Sequence, residues 1–466
     1  WQKSEVFMFP VVARQLFKWQ ERLLGRDSFA ILAQLLESER WEQERLQELQ
    51  VARLQRSVQL AYQHTAFWRT LMEQNQLQPQ MVQSLADLQR FPFLDKEIIR
   101  AHREEMVWKD EGKRVQLVRT SGSTNEALEF YTSSTREAQI NAARMRGHEW
   151  VGMRRGEKEL YYWGSPIELS KQDRIKRVRD WLINDALTNG FEVTPARLKS
   201  YFAQWLKWQP KCIFGYPSTF VLTVSMAQTL GIDLTELKSR GLKLISTTSE
   251  LLSSVDRQLI ERGFGVPVYD SYGLREAGLI GHECTHGTMH CMDEQVLLET
   301  IDPETLQPTE GEGELVVTNI VGPAFPLFRY RTGDIVTLSH QPCACGRTLS
   351  SITISGGRAV EFIVTKAGKW VVGYSFIYIA RAVKGIVKFQ VIQEKLGAIL
   401  IRLVVNEQFP PDGIEQVKIK AAQRMGGDDW IHVELVEDIK AARSGKYRPV
   451  ISKVAEEMYR KREFSV

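Results

Sequence analysis

The chain has 466 residues, 43% of them hydrophobic and 25% charged, a globular balance that excludes a disordered, collagen-like or disulfide-dense protein. At about 150 residues per domain, this length calls for two or three domains and leaves ample chain for a large core. Sixty-one basic against 57 acidic residues give a net charge of +4, too slight to mark a dedicated nucleic-acid binder.

Residues 1–75 are expected to be helical. From Val11 to Arg26 the apolar positions Val12, Leu16, Trp19 and Leu23 recur at three or four residues, beside a basic stripe of Arg14, Lys18, Arg22 and Arg26. Such a helix could lie as a peripheral contact on an anionic membrane surface. The commoner origin of the pattern is a solvated face on a helix packed against its own protein. Gly25-Arg26-Asp27-Ser28 stops and restarts the chain, and a second helix is expected over roughly 37–64, with Trp41, Leu46, Leu49, Leu54, Val58 and Ala61 on one side.

From about residue 115, short β-rich runs alternate with helical stretches: Val115–Arg119, Leu160–Trp163, Cys212–Phe214, Leu242–Ser246 and Val266–Tyr269. Strand–helix alternation predicts an α/β sheet with substantial parallel character. Between Val296 and Ile354 the runs shorten and turns multiply, as in an antiparallel β subdomain. Beyond Gly356-Gly357, the runs Val360–Thr365, Lys388–Gln393, Ala398–Val405 and His432–Val436 predict a small α+β domain with a Lys/Arg-rich tail. No segment offers the ~20 apolar residues of a membrane span; the longest apolar stretch, Trp370 to Ala380, is interrupted by Gly and Ser.

Five cysteines (Cys212, Cys284, Cys291, Cys343, Cys345) are few and uneven, and four fall in two short clusters. That pattern suggests metal rather than a disulfide framework. The chain opens on Trp1, so some initial residues are expected to have been lost or processed, which leaves room for a removed signal peptide. A reduced, cytoplasmic setting fits the cysteines better.

The strongest local motif is Arg119-Thr120-Ser121-Gly122-Ser123-Thr124-Asn125, directly after a β run. Small hydroxylated residues around a glycine let backbone N–H groups and hydroxyls converge on a phosphate. It lacks the Gly-Lys-Ser/Thr of a Walker loop, and alone it reads equally well as a turn. Downstream follow Asp270-Ser271-Tyr272-Gly273-Leu274-Arg275-Glu276, Arg329-Tyr330-Arg331-Thr332-Gly333-Asp334, Gly357-Arg358 and Ser444-Gly445-Lys446. In this order the segments resemble the adenylate-forming superfamily of acyl-CoA synthetases. The nearest branch is that of the phenylacetate-CoA ligases, with the related proteins associated with capsular polysaccharide genes. The resemblance runs from about residue 50 to the end.

It implies an ATP-dependent ligase that converts a carboxylic acid to acyl-AMP and passes the acyl group to a thiol, CoA first among the candidates. The fold implied is a large N-terminal α/β domain with mixed sheets and a β subdomain over 76–357, preceded by the helical segment 1–75. A small mobile α+β lid domain over 358–466 would follow.

By the same resemblance, Thr120, Ser121, Gly122, Ser123 and Thr124 would hold the outer phosphates of ATP. Ser271, Tyr272 and Gly273 would stack on and border the adenine, since an aromatic face supports a flat base and glycine allows close approach. Thr248-Ser249-Glu250 is similar to the family's other adenine-side segment. Glu276 matches its Mg2+-binding carboxylate, Asp334 the ribose-binding carboxylate, and Arg358 the hinge-side arginine. Lys446 matches the mobile catalytic lysine, a compact charge suited to the developing negative charge between carboxylate and α-phosphate.

Cys284, His290, Cys343 and Cys345 form a second constellation, a Cys–X5–His pair followed by Cys-Ala-Cys-Gly. Three thiolates and an imidazole suit a closed, structural Zn2+ site with no place for a reacting water. Cys291, His282 and His286 compete for the same role, and unliganded buried thiols are the alternative. Several phenylacetate-ligase-like sequences carry cysteines and a histidine at matching places, which favours Cys284 and His290.

Three departures from the family pattern matter. Asn125-Glu126-Ala127 replaces the usual glycine-containing end of the phosphate loop and brings a carboxylate near the expected polyphosphate. Ala359 follows Arg358 where the hinge is usually acidic. Trp163-Gly164-Ser165-Pro166 and the basic stretch Lys171, Arg174, Lys176, Arg177 and Arg179 do not match the aryl-pocket region. These leave room for another acceptor (an amine, a sugar or a carrier protein), and for a non-catalytic nucleotide-binding scaffold.

Overall fold

The computed structural model describes residues 9–112, 114–120, 128–163, 174–190, 193–302, 305–356, 362–368, 370–372, 376, 379, 382–427, 430–439, 450–455 and 457. The chain begins with α1 (Pro10–Leu23), α2 (Ser28–Ser38), α3 (Gln43–His64), α4 (Ala66–Gln74) and α5 (Lys96–His102). The expected helix over 37–64 is thus two helices, broken at residues 39–42. The break has a physical reason: Glu39 is buried there, and its carboxylate accepts a hydrogen bond from Trp150 Nε1 at 2.6 Å, while its carbonyl accepts Thr348 N–H at 3.2 Å.

A hairpin of β1 (Gln116–Arg119) and β2 (Glu129–Thr132) leads into α6 (Ser134–Trp150). There follow β3 (Glu159–Trp163), α7 (Arg174–Leu182), β4 (Asp185–Asn189), α8 (Pro195–Trp208), β5 (Cys212–Gly215), α9 (Pro217–Leu230), β6 (Leu244–Thr248), α10 (Ser254–Phe264) and β7 (Val268–Leu274). Then come β8 (Gly278–Glu283), β9 (Met289–Cys291), β10 (Val296–Ile301), β11 (Glu312–Asn319), β12 (Tyr330–Ser339) and β13 (Ser351–Gly356).

Strands β3 to β13 make one 11-stranded sheet in the order β10-β11-β12-β13-β9-β8-β7-β6-β5-β3-β4. Its β7-β6-β5-β3-β4 half is parallel, and the rest is antiparallel. The antiparallel block therefore continues the parallel sheet rather than forming a sheet of its own.

Parallel strands joined by helical crossovers are covered on both faces and read as apolar runs. Here Ile213, Ile245 and Val268 point into a core shared with Leu198, Trp205, Phe220, Ile260 and Phe264 of the covering helices. Their neighbours Cys212 and Leu244 point to the other face, against Leu46, Ala143 and Trp150. A third core joins α3 and α4 through Trp68 to Phe91, Phe328 and Tyr330.

The C-terminal part carries a hairpin of β14 (Phe362–Val364) and β15 (Trp370–Val372) and a separate four-stranded sheet, β18-β17-β16-β19. The latter contains β16 (Ile386–Lys395), β17 (Ala398–Val405), β18 (Trp430–Leu435) and β19 (Val450–Ser452), with α11 (Gly413–Met425) on its own core. Among the described residues no helix is long and apolar enough to cross a membrane.

Helix α1 departs from its pattern. It packs through Ala13, Phe17 and Glu21, while Val12, Trp19 and Leu23 face outward.

Candidate active site

The parallel strands deliver their C-terminal ends to one edge, where open α/β sheets bind ligands. Strand β6 ends at Thr248, paired in register with Ser271 of β7. Ser271 Oγ donates to the Thr247 carbonyl at 2.9 Å, and Thr248 Oγ1 donates to the Ser271 carbonyl at 3.0 Å. The two adenine-side segments are thereby side by side.

Ser249 then turns the chain with a left-handed φ of 68°. A non-glycine residue held there costs of order 1 kcal/mol or more, and such strain collects at functional sites. The turn aims Glu250 at the start of α9, where its carboxylate accepts hydrogen bonds from Ser218 N and Ser218 Oγ, both at 3.0 Å. Burial pushes the Glu250 carboxyl up to about 7, against the pull of those hydrogen bonds. Asp270 is likewise pushed up to about 7 by burial, opposed by the Thr247 hydroxyl that donates to it at 2.6 Å.

Tyr272 and Asp334 meet: the phenol donates to Asp334 Oδ2 at 2.8 Å, across 62 residues of sequence. Asp334 is half-buried beside the exposed Gly333, whose φ of 76° lets β12 bend there. Gly273 is needed for a reason internal to the fold. A Cβ there would lie 2.6 Å from the Gly278 carbonyl oxygen, at the register shift between β7 and β8. The close approach that glycine permits at this position is the hairpin's own.

Glu276 is buried at 5% exposure, and one of its oxygens accepts a hydrogen bond from Tyr330 Oη at 2.8 Å. Arg136 of α6 donates to the carbonyls of Arg275 and Glu276, which fixes the turn that carries the carboxylate. A single fixed carboxylate suits a magnesium ion that takes its other ligands from phosphates and water. Thr120 closes the β1–β2 hairpin, its Oγ1 accepting Leu128 N–H at 2.9 Å. Ser121, Gly122, Ser123 and Thr124, the departing Asn125, Glu126 and Ala127, the hinge residues Arg358 and Ala359, and Lys446 lie outside the described residues.

Three contributors escaped the reading of the sequence. Tyr330 lay inside a quoted motif, but nothing in its spacing announced a hydrogen bond to Glu276. Ser218 and Arg136 carried no local signal at all. Beside α9, Trp163 at the end of β3 stacks on Tyr216 with ring centroids 4.0 Å apart, giving this edge a flat aromatic wall. Of the unmatched basic stretch, Lys171 lies outside the described residues and the others fall on α7.

The cysteine cluster assembles as one group. The ligand atoms of Cys284, His290, Cys343 and Cys345 all lie within 4.8 Å of one another. His290 Nε2 is 3.2 Å from Cys345 Sγ, and Cys284 Sγ is 3.8 Å from Cys343 Sγ. The other histidine nitrogen, Nδ1, is 3.2 Å from the Leu349 carbonyl. Donating there leaves Nε2 as the lone pair facing the thiols, the arrangement usual behind a metal-bound imidazole. Neither Cys291 nor His282 nor His286 belongs to this group. Burial pushes the Cys284 thiol up to about 11, so it holds its proton until a cation displaces it.

The fold is that of the adenylate-forming acyl-CoA ligases. Structures of 2-hydroxyisobutyryl-CoA ligase superpose on it with a TM-score of 0.64 at 18% identity, covering 92% of this chain and 94% of that one, for the complex with 2-HIB-AMP and CoA. For the R3-HIB-AMP complex the TM-score is 0.59 at 19% identity, covering 92% and 93%.

Within that fold the chain is similar to CapK and to the phenylacetate-CoA ligases. It is 23% identical to protein CapK of Staphylococcus aureus over 87% of this chain and 89% of that protein. It is 28% identical to the phenylacetate-coenzyme A ligase of Thermus thermophilus over 71% and 74%. Residues 363–453 match the CapK C-terminal domain family.

Proposed function

We propose that this protein is an adenylate-forming ligase that activates a carboxylic acid as its acyl-AMP at the expense of ATP, releasing pyrophosphate, and passes the acyl group to CoA. The observation that carries this reading is a pair of hydrogen bonds, Tyr272 to Asp334 and Tyr330 to Glu276. Two motifs distant in sequence are tied together at two points near the strand ends.

Adenine would lie on the Tyr272 ring, and the ribose hydroxyls would donate to Asp334. Thr120 to Thr124 would wrap the outer phosphates, and Ser249, Glu250, Ser271 and Gly273 would border the base. Glu276 would ligate a Mg2+ ion, which neutralises phosphate charge when bound. Lys446 would approach the α-phosphate as the small domain from about residue 358 closes, and Arg358 would flank the hinge. Two reactions in one cleft favour such a rotation, because the lysine must withdraw before the acceptor arrives. Cys284, His290, Cys343 and Cys345 would hold a structural Zn2+, whose charge replaces four separate donors by one crosslink.

The relatives named CapK favour a place in capsular polysaccharide synthesis, and an acceptor other than CoA is the reading next in line. ATP–pyrophosphate exchange across aryl, fatty and amino acids, followed by an offered thiol or amine, tests both. Acid-dependent exchange with thioester formation only when CoA is present is the expected result. Product formed with an amine and no CoA would move the acceptor. Absence of exchange with every acid offered would leave a non-catalytic scaffold, which binds nucleotide if calorimetry still detects ATP·Mg2+ and does not if that binding is lost as well.

A further inference from the structure

Helix α1 is mounted with its apolar stripe away from the protein. Phe9 is 76% exposed, Val12 44%, Trp19 62% and Leu23 60%. What it buries instead is Ala13 and a carboxylate, with Phe17 half-buried: Glu21 is 1% exposed. Glu21 accepts hydrogen bonds from Ser28 Oγ, from Asn141 Nδ2 of α6 at 2.8 Å and from Arg26 Nη1 at 3.3 Å. A buried carboxylate with three donors cannot turn outward without leaving them unpaired, so the helix is fixed in this rotation. Phe17 adds a ring contact to Phe29 and lies under the Arg155 guanidinium at 4.1 Å.

The outward face is also charged in one sense. Lys18, Arg22 and Arg26 rim a hollow of about 170 Å3 beside the stripe. Arg22 is exposed, and the acids of residues 9–30 are the buried Glu21 and the single exposed Asp27. Apolar side chains including an indole, flanked by cations on one side of a fixed helix, match the boundary of a bilayer bearing negative headgroups. Large exposed apolar patches on a globular protein mark an interaction surface.

We propose that the outward face of α1 docks the protein on an anionic membrane surface. Val12, Trp19 and Leu23 enter the boundary between headgroups and acyl chains, and Lys18 and Arg22 meet lipid phosphates. The charge balance selects this occupant: a second copy would set the same cations against each other across a two-fold contact.

The test uses the full chain and sucrose-loaded vesicles of phosphatidylcholine, with and without about 30% phosphatidylglycerol, at low salt. Binding to the anionic vesicles should be at least about tenfold tighter than to neutral ones, and should fall steeply at high salt. Trp19→Glu with Leu23→Glu should lose at least about tenfold, and Lys18→Glu with Arg22→Glu should reduce binding to the level of neutral vesicles. Trp19, Arg22 and Leu23 are exposed and Lys18 is half-buried over the Phe29 ring, so the melting curve of Trp19→Glu with Leu23→Glu, followed by circular dichroism, should not move. Failure of the protein to sediment with either vesicle would overturn the proposal, as would undiminished binding by Trp19→Glu with Leu23→Glu. A dimer in light scattering that the same pair dissociates would make a second copy the occupant.

Discussion

Single residues at the sheet edge are acids whose protons the fold holds more tightly than water would. Glu250 and Asp270 are both pushed from their usual values (4.5 and 3.8) up to about 7, burial being the first cause. A carboxyl with a raised pKa binds its proton more tightly in the folded chain than in the unfolded one. The stability that proton supplies is complete below the unfolded value and is lost as pH rises towards 7. Each unit of displacement is worth about 1.4 kcal/mol, so urea midpoints should fall between about pH 4 and pH 7 and level off above. Glu250→Gln keeps an acceptor for Ser218 and should flatten part of that slope, leaving the part due to Asp270; an unchanged slope would refute the assignment.

The Tyr272–Asp334 hydrogen bond sets a second expectation at this scale. Asp334→Ala removes the proposed ribose acceptor and should weaken ATP binding by about tenfold or more, the worth of a hydrogen bond to a charged group. Tyr272→Phe keeps the aromatic face and should cost less than Asp334→Ala in calorimetry. If the phenylalanine variant were the weaker of the two, the division of labour between ring and carboxylate would be wrong.

Among the elements, those with a strong period were legible and those made by long-range pairing were not. Four of the five parallel strands announced themselves as short apolar runs between helical stretches, because burial on both faces demands apolar side chains on both, whereas the polar edge strand β4 (Asp185–Asn189) carried no such run. The β8–β9 hairpin, which brings Cys284 towards His290, went unseen as strands. Its branched apolar content is only the pair Leu279-Ile280, amid glycines, histidines and a glutamate, too short a run to mark a strand, and it is held by pairing to β7 and β13 in the middle of the sheet. The rotation of α1 was hidden for a related reason: periodicity reports which residues share a face, not which face the protein takes. Partners of site residues, such as Ser218 and Arg136, are set by tertiary packing that no local pattern encodes.

Two elements can be tested for what holds them. Arg146 of α6 is fully buried, donates to Glu294 at 2.6 and 3.0 Å and to the Leu35 carbonyl at 3.1 Å, and so ties α2 to the sheet. Removing one member of such a pair strands a buried charge, so Arg146→Met should cost about 3–5 kcal/mol in urea unfolding. A loss under about 1 kcal/mol, the range of an exposed pair, would show the charge finds water.

The cysteine cluster joins the β8–β9 turn to the loop before β13. Elemental analysis of the purified protein should give one zinc per chain, and chelation or Cys345→Ser should remove it and lower the melting temperature by several degrees. Full stability in a protein shown to lack metal would leave the cluster as packed thiols.

At the scale of the whole molecule, the question is how a small C-terminal sheet acts on a site built by a large N-terminal one. Lys446 lies four residues before β19, whose Val450 pairs with Val391 of β16 in the interior of that sheet. Under the proposed domain closure, so short a tether would carry the lysine with the sheet, while Tyr272, Asp334 and Glu276 would stay with the larger sheet. If the lysine's charge is needed only while the carboxylate attacks the α-phosphate, its loss should divide the two half-reactions. Lys446→Ala should lower acid-dependent ATP–pyrophosphate exchange by about 10²–10³-fold, the worth of one oriented charge in a dry site. Thioester formation from supplied acyl-AMP and CoA should remain within about threefold of the parent chain, because in the proposed sequence the lysine would have withdrawn before that step. Equal loss in both steps would mean that Lys446 supports the fold or binds a group common to both. Loss in neither would remove the small sheet from the chemistry altogether, and with it the reason for placing a hinge near Gly356.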